Sequence, residues 1–154
     1  MSSLEPTREQ MAALAARPAD EPVVMINLLQ FRLDGGRESY VRYSQAVVPH
    51  LQRVGGTVRY AGSAPTQVIG DGEKPCWDAI LVVEYPSPAA FIDMVTNEEY
   101  VKIHEYRAAA LDRGDLIATS TWTMADSRCG RWYVGTTNGR TCFASSAQRS
   151  SSGI

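Results

Sequence analysis

The chain has two histidines, His50 and His104. Imidazole is the side chain best suited to move protons near neutral pH. His104 stands four residues after Tyr100 and three before Arg107, a spacing that puts phenol, imidazole and guanidinium on one face of a helix. Together they could polarise a carbonyl through Tyr100 or Arg107, remove a neighbouring C–H proton through His104 and hold the enolate that forms. The plainer alternative is that Tyr100 packs, His104 is half exposed, and Arg107 pairs with Glu98, Glu99 or a partner chain.

Other residues qualify as pocket walls. His50 lies two helical turns after Tyr43 with Val47 between them, so Tyr43 and His50 share a stripe. Asn27 and Gln30 interrupt an apolar run, and a buried amide needs a hydrogen-bond partner or a ligand. Alternation puts Asn27 with Met25 and Leu29, and Gln30 with Ile26 and Leu28. Tyr60 and Trp77 are candidate walls, although aromatic strand residues more often pack in the core. Asp78 could orient a histidine or an arginine, or serve at an edge. No glycine-rich phosphate cradle and no nucleophile elbow is present. Cys76, Cys129 and Cys142 form no CxxC pair and have no histidine at ligand spacing. A haem would need an axial ligand; His104 alone is no motif. No cofactor and no metal are expected.

The elements that must carry these residues are legible. Val23 to Phe31 is a near-continuous apolar run, read as a strand covered on both faces. Asp34-Gly35-Gly36 marks a turn. From Arg37 to Val54 the apolar spacing becomes helical; Pro49 predicts a kink or break, and Gly55-Gly56 a stop. A second strand starts at Thr57, with Val58 and Tyr60 on one face and Arg59 on the other, and is expected to resume over 66–69. A third runs from Trp77 to Tyr85. Ser87-Pro88 is a helix start, and Asn97-Glu98-Glu99 caps a second helix reaching Leu111 and ended by Gly114. Leu116 to Thr123 is the fourth strand. The order β-α-β-β-α-β predicts an α+β, ferredoxin-like domain over 23–124: an antiparallel four-stranded sheet with helices on one face. Residues 1–22 form a lead-in with a helix capped by Thr7. Residues 125–154 are expected to be an extension that could form a hairpin around Asn138-Gly139 before a mobile serine-rich end.

Strands apolar on both faces leave the sheet face away from the helices uncovered. A second copy packed sheet to sheet would cover it, giving a homodimer with room for a ligand. Composition narrows the partners. The 154 residues are 44% apolar and 21% charged with net charge −2, which argues for a soluble globule and against a general nucleic-acid binder. No apolar run reaches the roughly 20 residues that span a bilayer. The acidic N-terminus is unlike a secretory signal, so cytoplasmic residence is expected.

The run Val23–Phe31, Tyr40-x-x-Tyr43, Pro49, Gly55-Gly56, the strand from Trp77, Pro88-Ala-Ala-Phe91 and Glu99-Tyr100 followed by Arg107 resemble the domain of unknown function 1330 family, over about residues 23–123. That family belongs to the dimeric α/β-barrel superfamily. The resemblance implies this fold and a dimer. Superfamily relatives include cofactor-independent monooxygenases, polyketide cyclases, lactone isomerases and haem enzymes, and some of the cyclases use a Tyr and His pair; fold alone does not choose among them. The leading expectation is a cofactor-free enzyme on a small, partly apolar carbonyl compound. His104 would be its base, and proton abstraction would lead to cyclisation, isomerisation or ring opening. The alternatives are a cofactor-independent monooxygenase of the same superfamily, or a non-catalytic binding or scaffold protein.

Overall fold

The computed structural model describes residues 4–70, 72 and 77–121. The proposed hairpin and serine-rich end, with Cys76, Cys129 and Cys142, lie outside the described residues. The elements are α1 (Arg8–Ala15), β1 (Val23–Phe31), α2 (Gly36–Arg53), β2 (Thr57–Ser63), β3 (Ala79–Tyr85), α3 (Pro88–Thr96), α4 (Glu98–Ala110) and β4 (Leu111–Thr119). The strands form one antiparallel sheet in the order β2-β3-β1-β4. With β1-α2-β2-β3-α3/α4-β4 connectivity, this is the ferredoxin-like α+β fold.

Local chemistry explains most boundaries. Thr7 accepts from the Gln10 amide while the Gln10 side chain accepts from the Thr7 amide, a capping box that starts α1. Ser87 caps α3 ahead of Pro88, and Asn97 caps α4 by accepting from the amides of Glu99 and Tyr100 at 3.0 and 3.3 Å. Gly35 (φ 69°) turns the chain into α2 and Gly55 (φ 74°) turns it out. α2 runs through Pro49 without a break. Pro49 and Gln45, whose carbonyl loses its donor, are both exposed, so water can replace the missing bond.

Further expectations are corrected, among them the fourth strand, which is Leu111–Thr119 where Leu116 to Thr123 was expected. Gly114 does not end α4. The helix stops at Ala110, whose carbonyl accepts from the Arg32 amide, and β4 starts at once with Leu111 opposite Phe31. Gly114 sits inside β4 because the space is filled: a Cβ there would lie 3.0 Å from Leu111 and 3.4 Å from Arg107 and Leu4. A bulge at Arg59 shifts the register, so Val58 pairs with Val83 but Tyr60 with Val82; the extra residue sends Val58 and Tyr60 to opposite faces. Residues 66–69 form no strand. Ala64, at φ 51°, turns the chain out of β2, and its amide is bonded to the Asp78 carbonyl.

One sheet face is the core. Val23, Met25 and Leu29 of β1 and Ala79, Val83 and Tyr85 of β3 point into it. Tyr40, Tyr43 and Leu51 of α2, Phe91 and Met94 of α3, and Tyr100 and Ala110 of α4 cover it, and Leu14 of α1 joins the same cluster. The opposite face carries Val24, Ile26, Leu28, Ile80 and Val82, all partly exposed, with Tyr60 and Ile117 more open at 59% and 48%. Along one edge of that face Arg59 bridges Glu84 at 2.8 Å.

Candidate functional site

Between the core face of the sheet and the helices lies a cavity of about 1110 Å³, half open to solvent. α4 supplies one wall with Tyr100, His104 and Arg107, α2 supplies Tyr40 and Tyr43, and Asn27 stands on the sheet floor. The N-terminal segment from Leu4 to Leu14 lines another side, and Met25, Leu81, Val83, Phe91 and Met94 make the remaining surface apolar.

The polar groups form a connected set. The hydroxyls of Tyr43 and Tyr100 are 3.0 Å apart in a buried hydrogen bond. Tyr100 is flanked by both imidazoles, His50 edge-on at 6.2 Å and His104 tilted at 6.0 Å between ring centroids. Phe31, Tyr40 and Tyr43 continue the aromatic contacts at 5.3 and 5.4 Å. Arg107 is only 7% exposed; its Nη1 donates to the Leu4 carbonyl at 3.4 Å. Among the described residues Arg107 forms no ion pair with Glu98 or Glu99, while Tyr100 is buried in the core and His104 is half-buried. The Asn27 side chain makes no hydrogen bond among the described residues, and the cavity beside it can take its donors and acceptor.

Electrostatics follow from burial. Desolvation pushes the Tyr40 hydroxyl up to about 12 and holds Tyr43 well above the ordinary phenol range, where the neighbouring Tyr100 adds to the effect. Both remain protonated donors at neutral pH. Burial, reinforced by the positive charge of Arg107, holds His104 below the ordinary imidazole value, against an opposing pull from Glu5. His104 is therefore uncharged at neutral pH and has a lone pair free to accept a proton.

The structure thus brings Asn27, Tyr43, Tyr100, His104 and Arg107 to one cavity and sets His50 behind Tyr100. It places the other candidates elsewhere. Gln30 and Tyr60 lie on the open face of the sheet. Trp77 lies under the Arg113 guanidinium, 4.9 Å from its ring centroid. Asp78 closes the end of the sheet: its carboxylate accepts from the Phe31 amide, and its own amide donates to the Leu29 carbonyl, both at 2.7 Å. Sequence reasoning missed Tyr40, although the i, i+3 spacing of Tyr40 and Tyr43 signals a shared face. It also missed the N-terminal segment as a wall, for which no local pattern gives a sign. Among the described residues no group of three potential ligands could hold a metal ion, and no helix is long and apolar enough to cross a membrane.

Comparison with known proteins places this geometry in a family. A model of the domain of unknown function DUF1330 matches residues 34–121. The crystal structure of RPA0582, a protein of unknown function from Rhodopseudomonas palustris, is similar with 29% identity and a TM-score of 0.71, covering 79% of this chain and 98% of that one. The chain belongs to the DUF1330 family. At the level of fold alone it is also similar to a protein of Arabidopsis thaliana (12% identity, TM-score 0.52, 67% of this chain and 98% of that one). A hydroxynitrile lyase from Passiflora edulis shares the fold too (9% identity, TM-score 0.51, 65% and 93%). No curated protein matches in sequence.

Proposed function

We propose that this chain is a cofactor-independent enzyme acting on a small, partly apolar carbonyl compound. The observation that carries the reading is that Tyr100, His104 and Arg107, one face of α4, line a single roomy cavity. In the proposed step the neutral His104 imidazole takes a proton from the carbon next to the substrate carbonyl. The C–H pair becomes the new C=C bond, and the carbonyl π pair moves onto oxygen. The Tyr100 hydroxyl, aligned by Tyr43, donates to that oxygen, and the positive charge of Arg107 opposes the growing negative charge. The enolate then attacks an internal electrophile, is reprotonated elsewhere, or expels a ring oxygen, giving cyclisation, isomerisation or ring opening.

The test needs no knowledge of the natural substrate. A panel of cyclic diketones, lactones and oxo acids is incubated in D2O, and C–H exchange is followed by NMR. Wild-type protein is expected to catalyse exchange in at least one class, and His104→Ala to lower that rate about 10²-fold or more. Exchange unaffected by His104→Ala refutes the role of the base. Dioxygen consumed in step with product would replace this reading by a monooxygenase.

The same proposal includes a homodimer packed through the open sheet face, supported by Ile26, Leu28, Ile80, Val82 and Ile117 on that face. Val82→Glu would set two like charges into the centre of such an interface. It is expected to give monomers in sedimentation velocity, and wild-type protein that sediments as a monomer refutes the dimer.

A further inference from the structure

Asn27 is the middle residue of β1, which β3 and β4 flank on its two sides. Its cross-strand neighbours are Leu81 and Leu116, and Met25 and Leu29, next along the same face, are buried. Local chemistry favours an apolar residue here: asparagine is a poor strand former, and an amide among apolar side chains needs partners. Asn27 has none, since its side chain makes no hydrogen bond among the described residues. Strain does not explain it, because the backbone pairs in regular register on both sides. A broken local rule without strain marks a position kept for function. The carbonyl oxygen and amide nitrogen of Asn27 are not sealed off, since no side-chain polar atom among the described residues is both buried and unpartnered. Strand alternation gives the direction in which they open. Met25, Asn27, Leu81 and Val83 line the cavity, and Ile26 and Val82 between them do not. The carboxamide therefore opens into the cavity from its floor.

We infer that Asn27 is a specificity-determining contact that reads a neutral donor–acceptor edge of the ligand, an N–H beside a carbonyl as in a lactam or a primary amide. A carboxamide carries its C=O and N–H side by side, and the same pair reversed on a ligand meets it through two parallel hydrogen bonds. A ligand with acceptors alone would set an oxygen against the Asn27 carbonyl oxygen and leave that oxygen unpaired, which costs affinity. The floor around the amide is Met25, Leu81, Val83 and Leu116, so the frame that carries the edge is apolar. Tyr100 and His104 stand on the helix wall of the same cavity, which gives it polar groups on two sides. Resting on the enzymatic reading above, this narrows the substrate to carbonyl compounds with a second, amide-like edge. That edge meets the floor, and the reacting carbonyl meets the helix wall.

Matched probes test it: quinolin-2-one against coumarin, titrated calorimetrically into the full-length protein at neutral pH. The two share shape and carbonyl, and differ in that a ring N–H of the first is a ring oxygen in the second. Quinolin-2-one is expected to bind at least about tenfold tighter. Equal affinities, a tighter coumarin, or no binding of either probe overturns the inference. Asn27→Leu, of nearly the same size, should abolish the preference; a preference that survives it belongs to another group and overturns the assignment to Asn27. The same variant should unfold at a higher urea concentration than the wild type, because leucine buries apolar surface where the amide did not. A midpoint that stays level or falls shows that the amide is already satisfied within the fold, and overturns the inference. His104→Ala must keep the preference, and its loss there would move the contact to the helix wall. Preference for quinolin-2-one without proton exchange in any carbonyl compound keeps the floor contact and removes the enzyme. Exchange without that preference does the reverse.

Discussion

The hydroxyl pair of Tyr43 and Tyr100 offers the sharpest quantitative test of the site. Both residues are buried, at 8% and 6% exposure, and their oxygens are 3.0 Å apart. Replacing one by phenylalanine removes a hydrogen bond and leaves the other hydroxyl buried without its partner. Such an orphan costs about 1–3 kcal/mol. Taking about 1.5 kcal/mol for each single substitution, independent sites would give about 3 kcal/mol for the double variant. Removing both hydroxyls leaves no orphan, so the double variant should cost only about 1–1.5 kcal/mol. The coupling expected of the cycle is therefore about 1.5 kcal/mol. Urea denaturation followed by circular dichroism measures it, and m must be unchanged among the four proteins for the comparison to hold. Costs that add to within about 0.5 kcal/mol would mean that water from the cavity already serves both hydroxyls. The aligned phenol on which the proposed oxyanion contact depends would then not exist.

Other consequences concern the frame around the site. At Gly36 a Cβ would lie 2.5 Å from the Ala110 carbonyl oxygen and 3.1 Å from Arg32; backbone cannot yield as a side chain does. Overpacking of about 1–3 kcal/mol should outweigh the gain of up to about 1 kcal/mol from alanine in a helix. Gly36→Ala is thus expected to lower the thermal midpoint, and a raised midpoint would refute the close approach of α2 to the α4–β4 junction. Burial and Arg107 lower the His104 pKa from its ordinary value near 6.5, so below that pH the unfolded chain binds a proton that the native state resists. The His104 contribution to stability is therefore level above about pH 6.5 and is lost as pH falls from there to the depressed native value. His104→Asn should flatten that limb of the stability profile; an identical profile would show the imidazole to be solvated. Asp78→Ala removes the acceptor of the Phe31 amide at 2.7 Å and is expected to cost about 1.5–3 kcal/mol in urea denaturation. A loss below about 0.5 kcal/mol would mean that water replaces the carboxylate at that sheet end.

What sequence could and could not reveal divides along physical lines. Signals that act within one turn were legible: the caps Thr7, Ser87 and Asn97, the apolar run of β1, and the stop at Gly55. Each depends on a side chain meeting its own backbone a few residues away. The co-facing of Tyr100, His104 and Arg107 was legible for the same reason, since helical geometry alone fixes it. Features set by distant chain were not. Gly114 reads as a terminator because glycine does end helices; here it answers to Leu111, Arg107 and Leu4 packed over it. The bulge that carries Tyr60 to the open face arises from the pairing of β2 with β3, and single-strand alternation cannot foresee it. Asp78 has the residue type of an orienting acid, but its bond to the Phe31 amide shows a carboxylate ending a sheet.

The open volume itself bears on function. Protein interiors are packed as densely as organic crystals, and cores seldom keep voids. Here the sheet floor includes Asn27 and Ala118, and Tyr40, Tyr43 and Tyr100 line the helix side. The rings are themselves buttressed, Tyr100 by His50 and Tyr43 by Tyr40, so the space does not depend on a single side chain. A scaffold would gain stability by filling this space and nothing by burying a guanidinium beside it. The pairing of this half-open, largely apolar cavity with a guanidinium and a neutral imidazole on adjacent turns of α4 fits the proposed site better than a core that failed to close.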